Sequence, residues 1–193
     1  IEDFPYPLGY FLPSSGDFDH DGRVDFITFA NVDFIGNRTS LLIQNTGSPG
    51  GKSFETVRFD SLGLLDFVPE SFFVPEFIDL DTDGDLDILM SGFDPAFAEE
   101  DGPDEPRFYY AKNIGSKSEP EYLGWFDDPY GLIPNPLVEV LTGGDIDNDG
   151  DMDLLGFLNN IPADSINYLY LHRNSSGGNG KPLFEEILNS PFG

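Results

Sequence analysis

Short apolar segments alternate with turns rich in Asp, Gly and Ser along this sequence. The segments are rich in aromatic and β-branched residues, as in the runs at 26–30, 88–90 and 154–158. Short runs of this composition, bounded by turn residues, are typical of β-strands. The pattern therefore predicts an all-β protein.

The predicted strands recur in the same order in each third of the chain. A strand that follows a Pro leads into an acidic loop, a second strand follows the loop, a third ends in Asn, and a turn rich in Gly and Ser precedes a fourth. The third strands end at Asn45, Asn113 and Asn174, and the fourth strands open at Phe54, Tyr122 and Phe184. The three units, approximately residues 1–65, 66–129 and 130–193, predict a single repeat domain over 1–193. Four antiparallel strands per repeat are typical of propeller blades, although about 64 residues is long for one blade.

The acidic loop has one nine-residue pattern in all three repeats. It reads DFDHDGRVD at 17–25, DLDTDGDLD at 79–87 and DIDNDGDMD at 145–153, with Asp at positions 1, 3, 5 and 9 and Gly at position 6. Four carboxylates in nine residues repel one another strongly. Ca2+ relieves such repulsion, because it takes 6–8 oxygen ligands and alternate residues of a tight loop can turn their oxygens inward. The sequence therefore predicts one Ca2+ in each loop and three per chain.

These loops differ from EF-hand loops, which need a bidentate Glu at position 12 and a helix on each side. Position 12 is Thr28, Met90 or Gly156, and the last carboxylate comes at position 9. We interpret each loop as a β-hairpin turn whose metal ligands are the four Asp side chains and the backbone carbonyl at position 7. The predicted ligands are Asp17, Asp19, Asp21, Arg23 and Asp25 in the first loop, Asp79, Asp81, Asp83, Asp85 and Asp87 in the second, and Asp145, Asp147, Asp149, Asp151 and Asp153 in the third. An acidic surface turn without metal is the alternative, and Mg2+ is a poorer fit because it demands near-octahedral geometry.

The loops resemble the FG-GAP and VCBS repeats of extracellular β-propellers, including the calcium hairpins of the integrin α-subunit. The nearest match to the FG-GAP motif is Phe34-Ile35-Gly36, and no Gly-Ala-Pro follows it, so the VCBS type is the closer resemblance. Together, the repeat and the resemblance predict three four-stranded antiparallel propeller-like blades, each with a calcium-binding hairpin loop. The resemblance also implies an extracellular or cell-surface location, where millimolar Ca2+ suits loops of this kind.

Composition excludes several classes of partner. The net charge is −27, from 36 acidic and 9 basic residues, and the three loops hold 14 of the acids. Nucleic acid is excluded because phosphate binding needs a basic surface. No apolar run reaches the roughly 18 residues of a membrane-spanning helix, so we expect no membrane insertion. The apolar content of 39% predicts a packed core.

The number of repeats predicts self-association. Closed propellers typically have 4–8 blades, and this chain supplies three. Two chains can pair into a six-bladed ring, many can stack into a filament, or the sequence is a piece of a longer propeller. The chain begins with Ile1 rather than Met, which indicates processing or excision. We favour self-assembly because the chain divides so evenly into repeats.

No motif for nucleophilic, zinc-protease or phosphate-loop chemistry occurs in the sequence. We therefore predict a non-enzymatic, extracellular structural or adhesion module with no catalytic residue. A glycan-binding lectin is the alternative, and a polysaccharide-lyase-type enzyme scaffold using His172 is a second. The expected ligand of the chain is either a glycan or a protein. Aromatic residues available for a sugar platform are Tyr109, Tyr110, Trp125, Phe126, Tyr168 and Tyr170. Core packing is the competing interpretation, in which adjacent residues such as Tyr109 and Tyr110 place one ring inside and one outside.

Overall fold

The chain forms three antiparallel sheets of four strands, one from each sequence repeat. The computed structural model describes residues 13–31, 38–48, 51, 53–57, 73–94, 105–127, 129–132, 138–158, 169–177 and 181–189. Each strand pairs with its neighbours in sequence, in the orders β1-β2-β3-β4, β5-β6-β7-β8 and β9-β10-β11-β12. The predicted all-β class with three four-stranded antiparallel sheets is confirmed. None of the residues just given belongs to a helix long and apolar enough to cross a membrane.

The strand bounds follow the repeat. In the first sheet they are β1 Ser14–Gly16, β2 Asp25–Asn31, β3 Arg38–Asn45 and β4 Phe54–Val57. In the second they are β5 Phe73–Ile78, β6 Asp87–Asp94, β7 Glu105–Asn113 and β8 Tyr122–Asp127. In the third they are β9 Val138–Gly144, β10 Asp153–Leu158, β11 Leu169–Asn174 and β12 Phe184–Asn189, and a 3-10 turn at Pro129–Gly131 precedes this sheet. The third and fourth strands end and begin at the predicted Asn and aromatic residues.

Each acidic loop closes the hairpin between the first and second strands of its sheet. The closing pairs are Gly16 with Asp25, Ile78 with Asp87, and Gly144 with Asp153. The loop turns sharply because position 6 has a positive φ in all three repeats, 86°, 92° and 96°, which Gly adopts at no steric cost. Position 4 is left-handed as well, although its residues are His20, Thr82 and Asn148. The prediction that each loop is a hairpin turn is confirmed.

The core lies between the sheets, and the middle sheet is covered on both faces. One cluster joins the first and second sheets and includes Phe18, Ile27 and Phe77, with the rings of Phe18 and Phe77 stacked at 6.1 Å. The other joins the second and third sheets and includes Leu89 and Leu154. Successive side chains of a strand point to opposite faces, so both faces of the middle strands must be apolar. This explains the unbroken apolar run from Ile88 to Met90.

Tyr109 and Tyr110 lie on opposite faces of β7, yet both are buried. Tyr109 packs in the cluster against the first sheet, and Tyr110 packs in the cluster against the third. The expectation that one ring of this pair faces outward is wrong, because a neighbouring sheet covers each face of the middle sheet.

Neighbouring sheets approach closely where the first strand of one of them carries Gly. A Cβ on Gly16 would lie 2.7 Å from Leu86 Cδ1, and a Cβ on Gly143 would collide with Ile78. Hydrogen bonds also cross between the sheets: Phe77 N–H donates to Ser14 Oγ at 3.1 Å, and Leu141 N–H donates to Ser91 Oγ at 3.2 Å. Small residues at these contacts therefore allow the sheets to approach closely.

We predict that buried His172 makes stability depend on pH. Its ring lies edge-on to Phe108 at 5.9 Å, Nε2 has no hydrogen-bond partner among the described residues, and burial lowers its pKa to about 4. In the unfolded chain the imidazole takes up a proton near pH 6.5, whereas in the folded chain it does so only near pH 4. The free energy of unfolding is therefore highest above pH 6.5 and falls by up to about 3 kcal/mol towards pH 4. Urea unfolding at several pH values should show a smaller fall for His172→Leu than for the parent. Equal falls in the two proteins would contradict this prediction.

Candidate metal centres

Each acidic loop brings three carboxylates together. In each group the oxygen atoms available as ligands lie within 4.8 Å of one another. The groups are Asp17, Asp19 and Asp25 in the first loop, Asp79, Asp81 and Asp83 in the second, and Asp145, Asp147 and Asp153 in the third. All nine belong to the predicted ligand set. The remaining predicted carboxylates, Asp21, Asp87 and Asp149, lie in the same loops but outside these tightest groups.

Backbone N–H groups inside the loop hold the first Asp in place. The amide at position 6 donates to the carboxylate at position 1 in every repeat, from Gly22 at 2.9 Å, Gly84 at 2.9 Å and Gly150 at 3.2 Å. The amide at position 7 donates to the position 5 carboxylate at 2.9–3.0 Å in all three loops. Position 7 is Arg23, Asp85 or Asp151, whose carbonyls are the predicted backbone ligands. These bonds fix the loop conformation but leave the carboxylates facing one another.

Both carboxylate oxygens of the Asp at position 9 accept hydrogen bonds from backbone N–H groups. Oδ2 accepts the N–H of position 2, at 3.2 Å in the first loop, 3.3 Å in the second and 3.1 Å in the third. Oδ1 accepts the backbone N–H of the Asn that ends the third strand, at 2.7, 2.8 and 2.9 Å in the same order. This Asp is fully buried in all three repeats. It therefore ties the loop to the third strand of its own sheet.

The Asn that ends the third strand completes this connection. In the second repeat, Asn113 Nδ2 lies 3.5 Å from the Leu86 carbonyl, and Asn113 Oδ1 accepts the N–H groups of Gly115 at 3.0 Å and Glu121 at 3.1 Å. Asn174 makes the equivalent set with Met152, Ser176 and Leu183. The sequence revealed the Asn only as a repeat marker. Its contacts depend on strand register, which the spacing alone does not give.

The second loop has buried carboxylate oxygens for which the described residues offer no hydrogen-bond donor. Asp79 Oδ1, Asp81 Oδ1 and Asp85 Oδ1 are inaccessible to solvent and have no hydrogen-bond partner within the described ranges. A buried acceptor left unpaired costs about 1–3 kcal/mol, and more when it is charged. A cation bound among these oxygens would remove that cost. The donors grouped in all three loops are carboxylate oxygens, which suit a hard cation.

Burial also acts against the charge of these carboxylates. Desolvation raises the pKa of Asp25, Asp79 and Asp153, and it raises the pKa of Asp87 to about 7. For Asp87, the hydrogen bonds from Tyr110 and Asn113 offset part of this effect. Carboxylates are ionised more readily when an opposite charge lies close by. The loop interior is therefore suited to an added positive charge.

The residue just before the terminal Asn reaches the loop in every repeat. Gln44 Nε2 donates to Asp19 Oδ2 at 2.5 Å, Lys112 forms an ion pair with Asp81, and Arg173 forms one with Asp147. All three therefore contact the carboxylate at position 3. Lys112 Nζ also lies 3.2 Å from Asp83 Oδ2. These residues partly neutralise the second and third loops, and sequence reasoning missed them because they come from a strand that is distant in the chain.

Comparison with models of known protein families gives no match, and comparison with curated proteins gives none either. The assignment of the loops therefore depends on their own geometry.

We predict that Lys112→Gln strengthens Ca2+ binding at the second loop and weakens the metal-free fold. The ammonium group repels an incoming cation by at least about 1 kcal/mol at contact distance in water, so its removal should raise the affinity of this loop roughly fivefold. In chelator the same change should lower the melting temperature, because the carboxylates lose their counter-ion. Calorimetric titration and thermal unfolding test both effects. Gln44→Lys is the matched control and should have the opposite effects at the first loop.

We expect Asn113→Ala to destabilise the chain by about 2–4 kcal/mol, because several buried backbone groups lose their partners. Asn113→Asp keeps an acceptor for Gly115 and Glu121 and should be less harmful. Urea unfolding in Ca2+ measures both. A loss below about 1 kcal/mol for the Ala variant, within the range of surface substitutions, would contradict this role for the Asn.

Proposed function

We propose that this protein is an extracellular calcium-binding, propeller-like structural or adhesion module that self-assembles into a ring or a filament. The observation that carries the proposal is the threefold repetition of one acidic hairpin, each with three carboxylates within reach of a single ion. An acidic surface turn has no reason to recur with the same internal hydrogen bonds in three sheets.

Ca2+ is the ion that these loops fit best. The ligands would be the carboxylates at positions 1, 3, 5 and 9 with the carbonyl at position 7, an all-oxygen set in a flexible loop. Mg2+ keeps several waters and demands near-octahedral geometry, which a loop of this kind does not favour. The likeness to VCBS repeats supports the same ion and an extracellular location.

The proposed role of the ion is structural. The carboxylate at position 9 would contact the metal and also accepts bonds from the loop and from the third strand. Metal binding would therefore hold together three strands of each sheet. An ion that binds only the folded chain stabilises it by about 2.7 kcal/mol per site at a hundredfold excess over Kd, and roughly 8 kcal/mol for three sites. That contribution is comparable to the whole stability of a typical domain.

The described residues give less support to the two alternatives. A sugar platform needs exposed rings, but Tyr109 and Tyr110 are buried and Trp125 packs against a core cluster. Phe126 is exposed, Tyr170 packs against the other core cluster, and Tyr168 lies outside the described residues. An enzyme that used His172 would need a reachable imidazole, and this one is enclosed between two sheets.

We predict three bound Ca2+ per chain and a large loss of stability in chelator. Native mass spectrometry counts the ions, and thermal unfolding with and without chelator measures their effect. Asp83→Ala removes one proposed ligand and should lower both the count and the melting temperature. Glu55→Ala is the matched control, since it removes one exposed carboxylate outside the loops. One ion or none, or an unchanged melting curve in chelator, would refute the proposal.

A further inference from the structure

The two outer faces of the three-sheet row each carry an apolar patch. The equivalent surfaces inside the row are covered by an adjacent sheet. We call the face of a sheet that is turned towards the next sheet in sequence its forward face, and the opposite face its rear face. The rear patch, on the first sheet, consists of Val24, Phe26 and Phe54. The forward patch, on the third sheet, consists of Gly144, Ile146 and Leu155.

The rear patch is exposed where its equivalents are buried. Phe54 is 47% exposed, whereas Tyr122 and Phe184, at the same position in the other repeats, are 2% and 6% exposed. Val24 is 52% exposed, whereas the equivalent Leu86 packs against the core between the first two sheets. The ring of Phe54 lies 6.0 Å from that of Phe26, so these two side chains form one apolar surface.

The forward patch is open in the same way. Ile146 is only half-buried, although Phe18 and Leu80 at the same loop position are buried in the two core clusters. Leu155 is likewise half-buried, while its equivalents Ile27 and Leu89 are fully buried. Leu171, the cross-strand partner of Leu155 on this face, is buried, so the forward patch is limited to Gly144, Ile146 and Leu155.

Glycine gives the clearest comparison between a covered and an uncovered forward face. A Cβ added to Gly16, on the forward face of the first sheet, would meet Leu86 and Phe77 of the second. A Cβ added to Gly144, the equivalent residue of the third sheet, would meet no atom of the described residues within 4 Å. No described residue fills beside Gly144 the space that Leu86 fills beside Gly16. Val24 is the repeat equivalent of Leu86.

We propose that the forward patch of one copy packs on the rear patch of a second copy, and that this head-to-tail contact is the route of assembly. The inference rests on the self-assembly in the proposed function and specifies its interface. Twice within the chain, a forward face packs on the rear face of the following sheet. The rear patch of a second copy continues the row after the third sheet, and the forward patch of another copy continues it before the first sheet. Such a contact is heterologous, so it forms a ring if the rotation closes and a filament if it does not.

Charge makes this contact dependent on Ca2+. Val24 and Ile146 belong to acidic loops, and Phe26 and Gly144 flank them, so the contact brings a loop of each copy together. The chain carries a net charge of −27, and three bound Ca2+ would reduce it to −21. Association should therefore be weaker in chelator, because metal-free loops repel one another across the interface.

Two substitutions test the interface without disturbing the chain that carries them. Phe54→Ser removes an exposed ring of the rear patch, and Gly144→Phe fills the open space of the forward patch. Leu123→Ser is the matched control, because Leu123 is an exposed apolar residue outside both patches. Sedimentation velocity and electron microscopy in millimolar Ca2+ should show assemblies for the parent and for Leu123→Ser. Both patch variants should be monomeric, with unchanged melting temperature and Ca2+ count.

Mixing the two patch variants tests the direction of the contact. Phe54→Ser keeps a good forward patch and Gly144→Phe keeps a good rear patch, so an equimolar mixture should form a dimer that cannot grow. Loss of assembly in Phe54→Ser but not in Gly144→Phe, or a mixture that stays monomeric, would overturn the head-to-tail contact. Assembly of both variants as in the parent would place the interface elsewhere and leave self-assembly intact. A monomeric parent that binds three Ca2+ would overturn self-assembly but not the calcium module.

Discussion

Repulsion among the carboxylates of each hairpin loop is the constraint on which the rest of this structure depends. The loop joins the first two strands of its sheet, and its last Asp is also bonded to the third strand. Backbone N–H groups satisfy some of the oxygens, but in the second loop three buried oxygens are left without partners in the described part of the chain. Such a loop is stabilised by a positive charge among its carboxylates. Lys112 and Arg173 supply part of it, and we propose that Ca2+ supplies the rest.

The sheets depend on one another as much as on their loops. The two core clusters lie between sheets, so a single repeat has no complete core of its own. The middle sheet has both faces covered and contributes to both clusters. In the described part of the chain, each outer sheet packs against one other sheet. The exposed patches follow from this arrangement rather than from a change in sequence pattern. The same packing that stabilises the chain internally therefore provides the contact that we propose between chains.

The repeat made much of this fold predictable. The Asp ladder located the three hairpins, and the Asn and aromatic markers located the ends of the third strands and the starts of the fourth. The spacing did not reveal which faces of the strands are covered, and this is why Tyr109 and Tyr110 were expected to differ in burial. It also did not reveal that Gln44, Lys112 and Arg173 share one position beside the loops. Those contacts depend on strand register and sheet stacking, which bring together residues that are more than twenty positions apart.

The most direct test of this account is an anomalous-scattering map from crystals grown in millimolar Ca2+. The account predicts one peak in each of the three loops, between the carboxylates at positions 1 and 3, with oxygen ligands at about 2.3–2.6 Å. The surrounding hydrogen bonds of the position 9 Asp should be retained. Loops that lack such peaks, in a protein whose three sheets are nevertheless folded, would contradict the claim that a cation holds each repeat together.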